Sequence, residues 1–230
     1  MYVDRPIAKQ FQPPLFDLGD SSTIVAEFFP QVWVAAEGLT VADVEQRREA
    51  LELLAESKVA RVSPLIGYLL TTRINDPDIQ IRAQVVNILG DVLSADEDGN
   101  PAPEVVRYHL FNHLSQMRTR QIYALLQVLT FDGSLESQVS KLFNACPYAG
   151  THLTDIVSSR KTPIDIRLKA VLMIGKVGFV EAIPSLERLL TRLESRLNGQ
   201  QSLPFAPQTA KEEISLVPSI QTTLILLRSP

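Results

Sequence analysis

Two histidines in the stretch HLFNH, His109 and His113, are the side chains whose spacing best suits metal chemistry. They stand four residues apart, so on a helix both imidazoles lie on one face and can hold one metal ion. No Asp, Glu or Cys accompanies them in the pattern, so a third ligand has to come from elsewhere in the chain. His113 also borders an apolar stripe at helical spacing. We interpret both histidines as packing residues and expect neither a metal nor a cofactor.

Nucleophilic chemistry has one candidate, Cys146, which is the only cysteine in the chain. No basic residue flanks it to stabilise a thiolate, so we interpret it as a small buried residue. A phosphate-binding glycine loop, a Gly-x-Ser-x-Gly elbow and a paired-carboxylate motif are all missing from the sequence. The sequence therefore predicts a protein that is not an enzyme.

The charge of the chain argues against a dedicated nucleic-acid binder, because such domains are usually basic. The net charge of the 230 residues is −4. Residues 1–115 carry 9 Lys and Arg against 17 Asp and Glu, a balance of −8, whereas residues 116–230 carry 13 against 9, a balance of +4. Such polarity can orient a partner by electrostatic complementarity.

The sequence also carries no recognisable membrane or export signal. MYVDRPIAKQFQPP at the N-terminus contains no apolar run, and the longest apolar stretch, 24–36, is interrupted by Glu27 and Pro30. A single cysteine forms no internal disulfide and fits a reducing compartment. We expect a soluble, cytoplasmic protein without membrane insertion.

Apolar residues at steps of three and four predict helices along most of the chain, and no long run alternates with a period of two. Residues 1–21, with three prolines, predict an extended arm. Ser22 or Thr23 is expected to cap a helix that ends near Gly38, and Thr40 to cap the next. Further helices are predicted over 41–57, 61–73, 75–92, 102–117, 118–130, 134–145, 149–160, 166–177 and 183–197. A last helix is predicted to end in TLILLRS, with Pro218 either in its first turn or at a kink. The expected fold class is all-α.

An internal repeat organises these helices. EAIPSLERLLT at 181–191 matches RVSPLIGYLLT at 61–71, 120 residues earlier. Copies aligned on an arginine have a small residue eight positions later, which predicts close approach of a neighbouring helix. The arginines are Arg47, Arg82 and Arg167, and the small residues are Ala55, Gly90 and Gly175.

DPDIQIRAQVVNILG (76–90) and IDIRLKAVLMIGKVGFVEAIPSLERLL (164–190) resemble HEAT repeats, particularly the bacterial HEAT-like or phycobilisome-lyase-type repeats. The resemblance implies a short right-handed α-solenoid of about ten or eleven helices, in which repeats stack to bury their apolar faces. The Asp and Arg of the family usually connect adjacent repeats. Asp76 and Arg82 match that spacing, whereas Arg47 and Arg167 lack the preceding Asp.

The predicted organisation is one structural domain in three parts. Residues 1–40 form an arm and a capping helix, 41–197 the HEAT-like repeats, and 198–230 a loop and a C-terminal capping helix. The match to the repeat is weak over 118–160, which leaves two repeats or one repeat with an inserted helix as alternatives.

The function implied by the resemblance is that of a non-catalytic scaffold or adaptor that binds a protein partner. Phe205, in the loop SLPFAP, is a candidate docking residue, and four basic residues are candidates for a partner-binding rim: Arg118, Arg120, Arg160 and Lys161. One alternative is an accessory subunit of an enzyme system, bilin-lyase-like or chaperone-like. Another is a HEAT-like nucleic-acid-binding protein that uses the same basic residues. The oligomeric state stays open.

Overall fold

The structure is a computed structural model that describes the backbone of residues 22–199 and 212–229 and the side chains of 30–197 and 212–229. The predicted arm over 1–21 and Phe205 lie outside the described residues. All regular secondary structure within them is helical. Eleven α-helices have both ends described: α1 Ser22–Gly38, α2 Val44–Glu56, α3 Pro64–Thr72, α4 Ile79–Val92, α5 Glu104–Leu114, α6 Thr119–Phe131, α7 Glu136–Asn144, α8 Ala149–Ser158, α9 Ile164–Val177, α10 Ile183–Gly199 and α11 Leu216–Arg228.

Short polar side chains set where the first repeat helices begin. Asp43 accepts a hydrogen bond from the backbone N–H of Gln46 and caps α2 at 2.9 Å. Asp78 caps α4 in the same way. Thr40, the predicted cap of α2, instead donates its hydroxyl to the Glu37 carbonyl at the end of α1. The prediction of Thr40 was wrong because Asp43, a strong N-cap residue, lies three positions further along the chain.

The helices pack in order along the chain. α1 packs on α2, α2 on α4, α4 on α6 and α7, those two on α9, and α9 on α11. Beside this layer α3 packs on α5, and α8 packs on α9 and α10. A core of small and branched apolar residues runs through all of these contacts. The predicted all-α, solenoid-like fold is confirmed, while its right-handed superhelix stays a prediction.

The region with the weakest repeat match is filled by two helices side by side. Both α6 and α7 contact α4 on one side and α9 on the other. α8 then packs on α6, α9 and α10, as the second helix of a repeat does. These contacts favour one repeat with an inserted helix over two separate repeats.

Glycine allows close helix contacts at two of the three predicted positions. A Cβ on Gly90 of α4 would lie 2.4 Å from Gln138 Cγ of α7, and a Cβ on Gly175 of α9 would lie 3.1 Å from Thr223 Oγ1 of α11. The α4–α7 contact therefore depends on the missing side chain of Gly90, whereas a side chain at Gly175 would make the α9–α11 contact tight. Ala55 is exposed and contributes no such contact, so that part of the prediction was wrong.

Buried arginines connect successive layers. Arg47 of α2 donates to Asp76, which precedes α4, at 3.0 Å, and Arg167 of α9 donates to Glu213, which precedes α11, also at 3.0 Å. Arg82 of α4 donates to Gln127 of α6 at 2.7 Å. The resemblance implies that Asp76 and Arg82 connect adjacent repeats, and Asp76 makes its ion pair with Arg47 of α2.

Candidate functional site

An apolar face that the other described residues leave exposed lies on the neighbouring helices α3 and α5. We use the name apolar face for Leu65 and Tyr68 of α3 with Tyr108 and Phe111 of α5. Each pair is three residues apart, so both members project from the same side of their helix. All four side chains are between 39% and 58% exposed, although they are large and hydrophobic.

Most of the side chains around the apolar face are neutral. Helix α3, PLIGYLLTT, has no charged residue, and its remaining exposed position is Thr72. On α5 the exposed neighbours are Asn112 and the charged Glu104, four residues before Tyr108. Arg107, four residues before Phe111, is half-buried and donates to the Ala102 carbonyl. Protein interfaces are depleted in charge at their centre and enriched in aromatic residues. The face therefore has the composition of an interface centre rather than of an ordinary solvated surface.

A shallow cleft of about 230 Å³ adjoins this face. Tyr68 and His113 form one wall, with ring centroids 4.6 Å apart and planes inclined by 45°. Burial, and to a smaller extent the charge of His109, lowers the pKa of His113, which keeps its ring neutral at neutral pH. The cleft is lined by Tyr68, Thr71, Thr72, Ile74, His113, Leu114, Gln116, Met117 and Gln121. It carries aromatic and neutral polar groups and no ionised side chain.

A second cluster consists of four arginines around one carboxylate. Glu213, almost fully buried, accepts hydrogen bonds from Arg167 at 3.0 Å and from Arg196 at 2.8 Å. Arg160 Nε lies 3.7 Å from the same carboxylate. Burial alone would raise the pKa of Glu213, but these guanidinium groups outweigh it and lower the pKa below its ordinary value.

Positive charge exceeds negative charge in this arginine cluster. Burial lowers the pKa of Arg192, and repulsion from Arg160, Arg196 and Arg167 adds to the effect. Arg167 Nη2 is buried with no hydrogen-bond partner among the described residues. One carboxylate therefore contacts three guanidinium groups and lies near a fourth, so the cluster carries an excess of positive charge.

The four basic residues singled out from the sequence lie at two places along the chain. Arg118 and Arg120 are exposed at the start of α6, and Arg160 and Lys161 are exposed after α8. Arg160 belongs to the arginine cluster, whose other members, Arg192 and Arg196 of α10 and buried Arg167, were not predicted as site residues. Arg192 and Arg196 stand four residues apart on α10, and this spacing is the sequence signal by which they could have been predicted.

Neither reactive candidate from the sequence has the surroundings of a catalytic group. Cys146 is buried, and burial raises the pKa of its thiol against the smaller opposing effect of Arg118. Such a thiol is a poor nucleophile. His113 packs on Tyr68, and His109 packs edge-on against Tyr108 with centroids 5.5 Å apart. No three His, Cys, Asp or Glu residues come together as a metal site in the described part of the chain.

No family model, no curated protein and no solved structure matches this chain. None of the described helices combines the length and the apolar character needed to cross a membrane. What the fold and the site define is a class: an all-helical array with an uncovered apolar face on its α3–α5 side.

Proposed function

We propose that this protein is a HEAT-like repeat scaffold that binds a protein partner through the apolar face. The observation that carries the proposal is the exposure of Tyr68, Tyr108 and Phe111 on two adjoining helices, of which α3 carries no charged residue. Exposed hydrophobic residues that stand singly need no explanation, but a contiguous group rimmed by neutral polar residues is typical of an interaction site.

A protein partner fits this surface better than the two alternatives. Helices α3 and α5 together carry one arginine and no lysine, and the Nε of that Arg107 donates to the Ala102 carbonyl, so the face does not resemble a basic nucleic-acid groove. The adjoining cleft is small and open, whereas sites for sizeable cofactors are usually enclosed volumes of about 300–1,000 Å³. Tyrosine and phenylalanine provide large rigid contacts for a protein surface at low entropic cost.

The test is affinity capture from native lysate with four versions of the protein, followed by mass spectrometry. The site variant carries Tyr108→Ser and Phe111→Ser. The matched control carries Ile225→Ser and Leu226→Ser on α11, which are equally exposed and apolar. Loss of anchor residues at an interface costs about 2 kcal/mol each, or roughly thirtyfold in affinity. The wild type and the control should retain the same stoichiometric protein, and the site variant should lose it.

The fourth version carries Arg118→Glu and Arg120→Glu and tests the basic residues predicted from the sequence. It should retain the partner if the apolar face is the docking site. Equal retention by the site variant and the wild type would refute the proposal. Capture of nucleic acid alone would instead favour the nucleic-acid-binding alternative, and a bound bilin would favour the lyase-like one.

A further inference from the structure

Helix α10 presents a row of arginines to solvent. Arg188, Arg192 and Arg196 follow one another at steps of four residues, and the first two are exposed. Over these eight residues a helix rises about 12 Å. Arg160 lies at the side of this row through its contact with Glu213. We call Arg160, Arg188, Arg192 and Arg196 the basic face.

The glutamates of α10 do not neutralise this face because they point toward α11. Glu187 accepts a hydrogen bond from Arg228, and Glu194 accepts one from Gln221 at 3.0 Å. Both donors belong to α11. On α10 the two carboxylates thus lie against α11, and Arg188 and Arg192 are exposed, while Arg196 is half-buried and donates to Glu213. With Arg160 included, four guanidinium groups stand against the single carboxylate of Glu213, so the basic face keeps an excess of positive charge.

Helix α2 presents the opposite charge in the same geometry. Glu45, Glu49, Glu52 and Glu56 stand at steps of four, three and four residues, and all four are exposed. Their span is about 16 Å, comparable to that of the basic face. Only Glu45 has an ion pair, with Arg48 of its own helix, among the described residues. We call these four residues the acidic face.

The two faces do not meet within one molecule. Helix α2 packs on α1 and α4, whereas α10 packs on α8 and α11, with α6, α7 and α9 in between. No hydrogen bond or ion pair joins α2 to α10 in the described residues. Within residues 30–197 and 212–229, neither row is covered by the other, and most of its side chains are exposed.

We propose that the acidic face of α2 in one molecule docks on the basic face of α10 in a second copy of this chain. Two helices with rows of opposite charge at matching spacing form several carboxylate–guanidinium pairs at once, and arginine makes such pairs in fixed geometry. Residues 1–115 carry a net charge of −8 and residues 116–230 one of +4, so electrostatic attraction orients the first part of one molecule toward the second part of the other. The contact joins two different surfaces, so it propagates from head to tail instead of closing as a symmetric dimer.

The experiment is sedimentation of the full chain at rising protein concentration. At about 0.01 M salt, where charges act over about 30 Å, the weight-average mass should rise from the monomer value of 25.6 kDa and continue beyond twice that value. At about 1 M salt, where this range is about 3 Å, it should return to the monomer value.

Charge-reversal variants identify the two faces. Arg188→Glu with Arg192→Glu reverses two of the four charges of the basic face, and Glu49→Arg with Glu52→Arg reverses two of the four charges of the acidic face. All four positions are exposed, so both variants should keep the helical circular dichroism of the wild type. Each variant alone should stay monomeric, because its changed face carries equal numbers of both charges and no longer attracts the unchanged face. An equal mixture should associate again, because the intact acidic face of the first variant meets the intact basic face of the second.

A matched control and two outcomes make the test decisive. Arg118→Glu with Arg120→Glu reverses the same number of exposed charges on α6 and should leave association unchanged. A wild-type protein that stays monomeric at low salt up to high micromolar concentration would overturn the proposal. So would association that survives in either reversed variant alone, because the interface would then lie elsewhere.

Discussion

Removal of the Asp76 carboxylate should be the most damaging single change between the first two repeats. Asp76 accepts from Arg47 Nη2 at 3.0 Å and from the backbone N–H of Asp78 at 3.0 Å. Its second oxygen lies 3.0 Å from Arg47 Nε. Both side chains are at least nine-tenths buried. The substitution Asp76→Ala therefore leaves a buried guanidinium group without its counter-ion.

The magnitude follows from what Arg47 retains. Its Nη1 still donates to the carbonyls of Val41, Ala42 and Asp43, which satisfy part of the group but carry no full charge. Removal of one partner of a buried ion pair typically destabilises by about 3–5 kcal/mol. We expect Asp76→Ala to lower the free energy of unfolding by an amount in this range. Replacing both partners, with Arg47→Met added, should cost less than Asp76→Ala alone.

Urea unfolding followed by circular dichroism measures these differences. The control is Asp78→Ala, two residues away, which removes the N-cap of α4 and should cost about 1 kcal/mol. The reasoning fails if Asp76→Ala costs no more than Asp78→Ala. It also fails if the double variant is less stable than Asp76→Ala, because the uncompensated charge would then not be the cause.

Two further predictions concern packing and pH. Gly90→Ala should lower the free energy of unfolding by about 1–3 kcal/mol, because its Cβ clashes with Gln138. Gly67→Ala in α3, where a Cβ meets nothing within 4 Å, should raise it by up to about 1 kcal/mol. Thermal unfolding of both variants measures these opposite changes. The lowered pKa of Glu213 means that its ion pairs stabilise the fold fully above its unfolded-state pKa of about 4.3, and less as the pH falls through its lower folded-state value. Glu213→Gln should therefore be less stable than the wild type at neutral pH, and the difference should shrink below about pH 4; an unchanged difference would contradict the assignment.

Helix existence was predictable from the sequence because it depends on local patterns. The apolar steps in 183–197 predicted α10 correctly. A last helix was also predicted correctly, and Pro218 lies in its first turn. Helix boundaries were less predictable because neighbouring caps compete: α2 begins after Asp43 rather than Thr40. The close contacts of Gly90 and Gly175 were predictable because only a missing Cβ permits them.

The candidate sites were harder to predict, since exposure is a property of packing. The sequence showed that Tyr68 and Tyr108 lie on amphipathic helices, but only the pairing of α3 with α5 brings them to one uncovered face. The arginine cluster was missed for a related reason. Glu213 follows Arg167 by 46 residues, and that distance is set by the order of the layers rather than by a motif.

The three connecting arginines show how burial determines the partner that an arginine requires. Arg47 and Arg167, at 5% and 2% exposure, each pair with a carboxylate, because a guanidinium group withdrawn from water needs a counter-charge. Arg82 is less buried and hydrogen-bonds to the neutral amide of Gln127, while burial lowers its pKa. The arginine at the repeated position thus donates to a different residue type in each of the three copies: Asp76, Gln127 and Glu213. The repeat pattern specifies the arginine, and the depth of burial decides whether its acceptor must be charged.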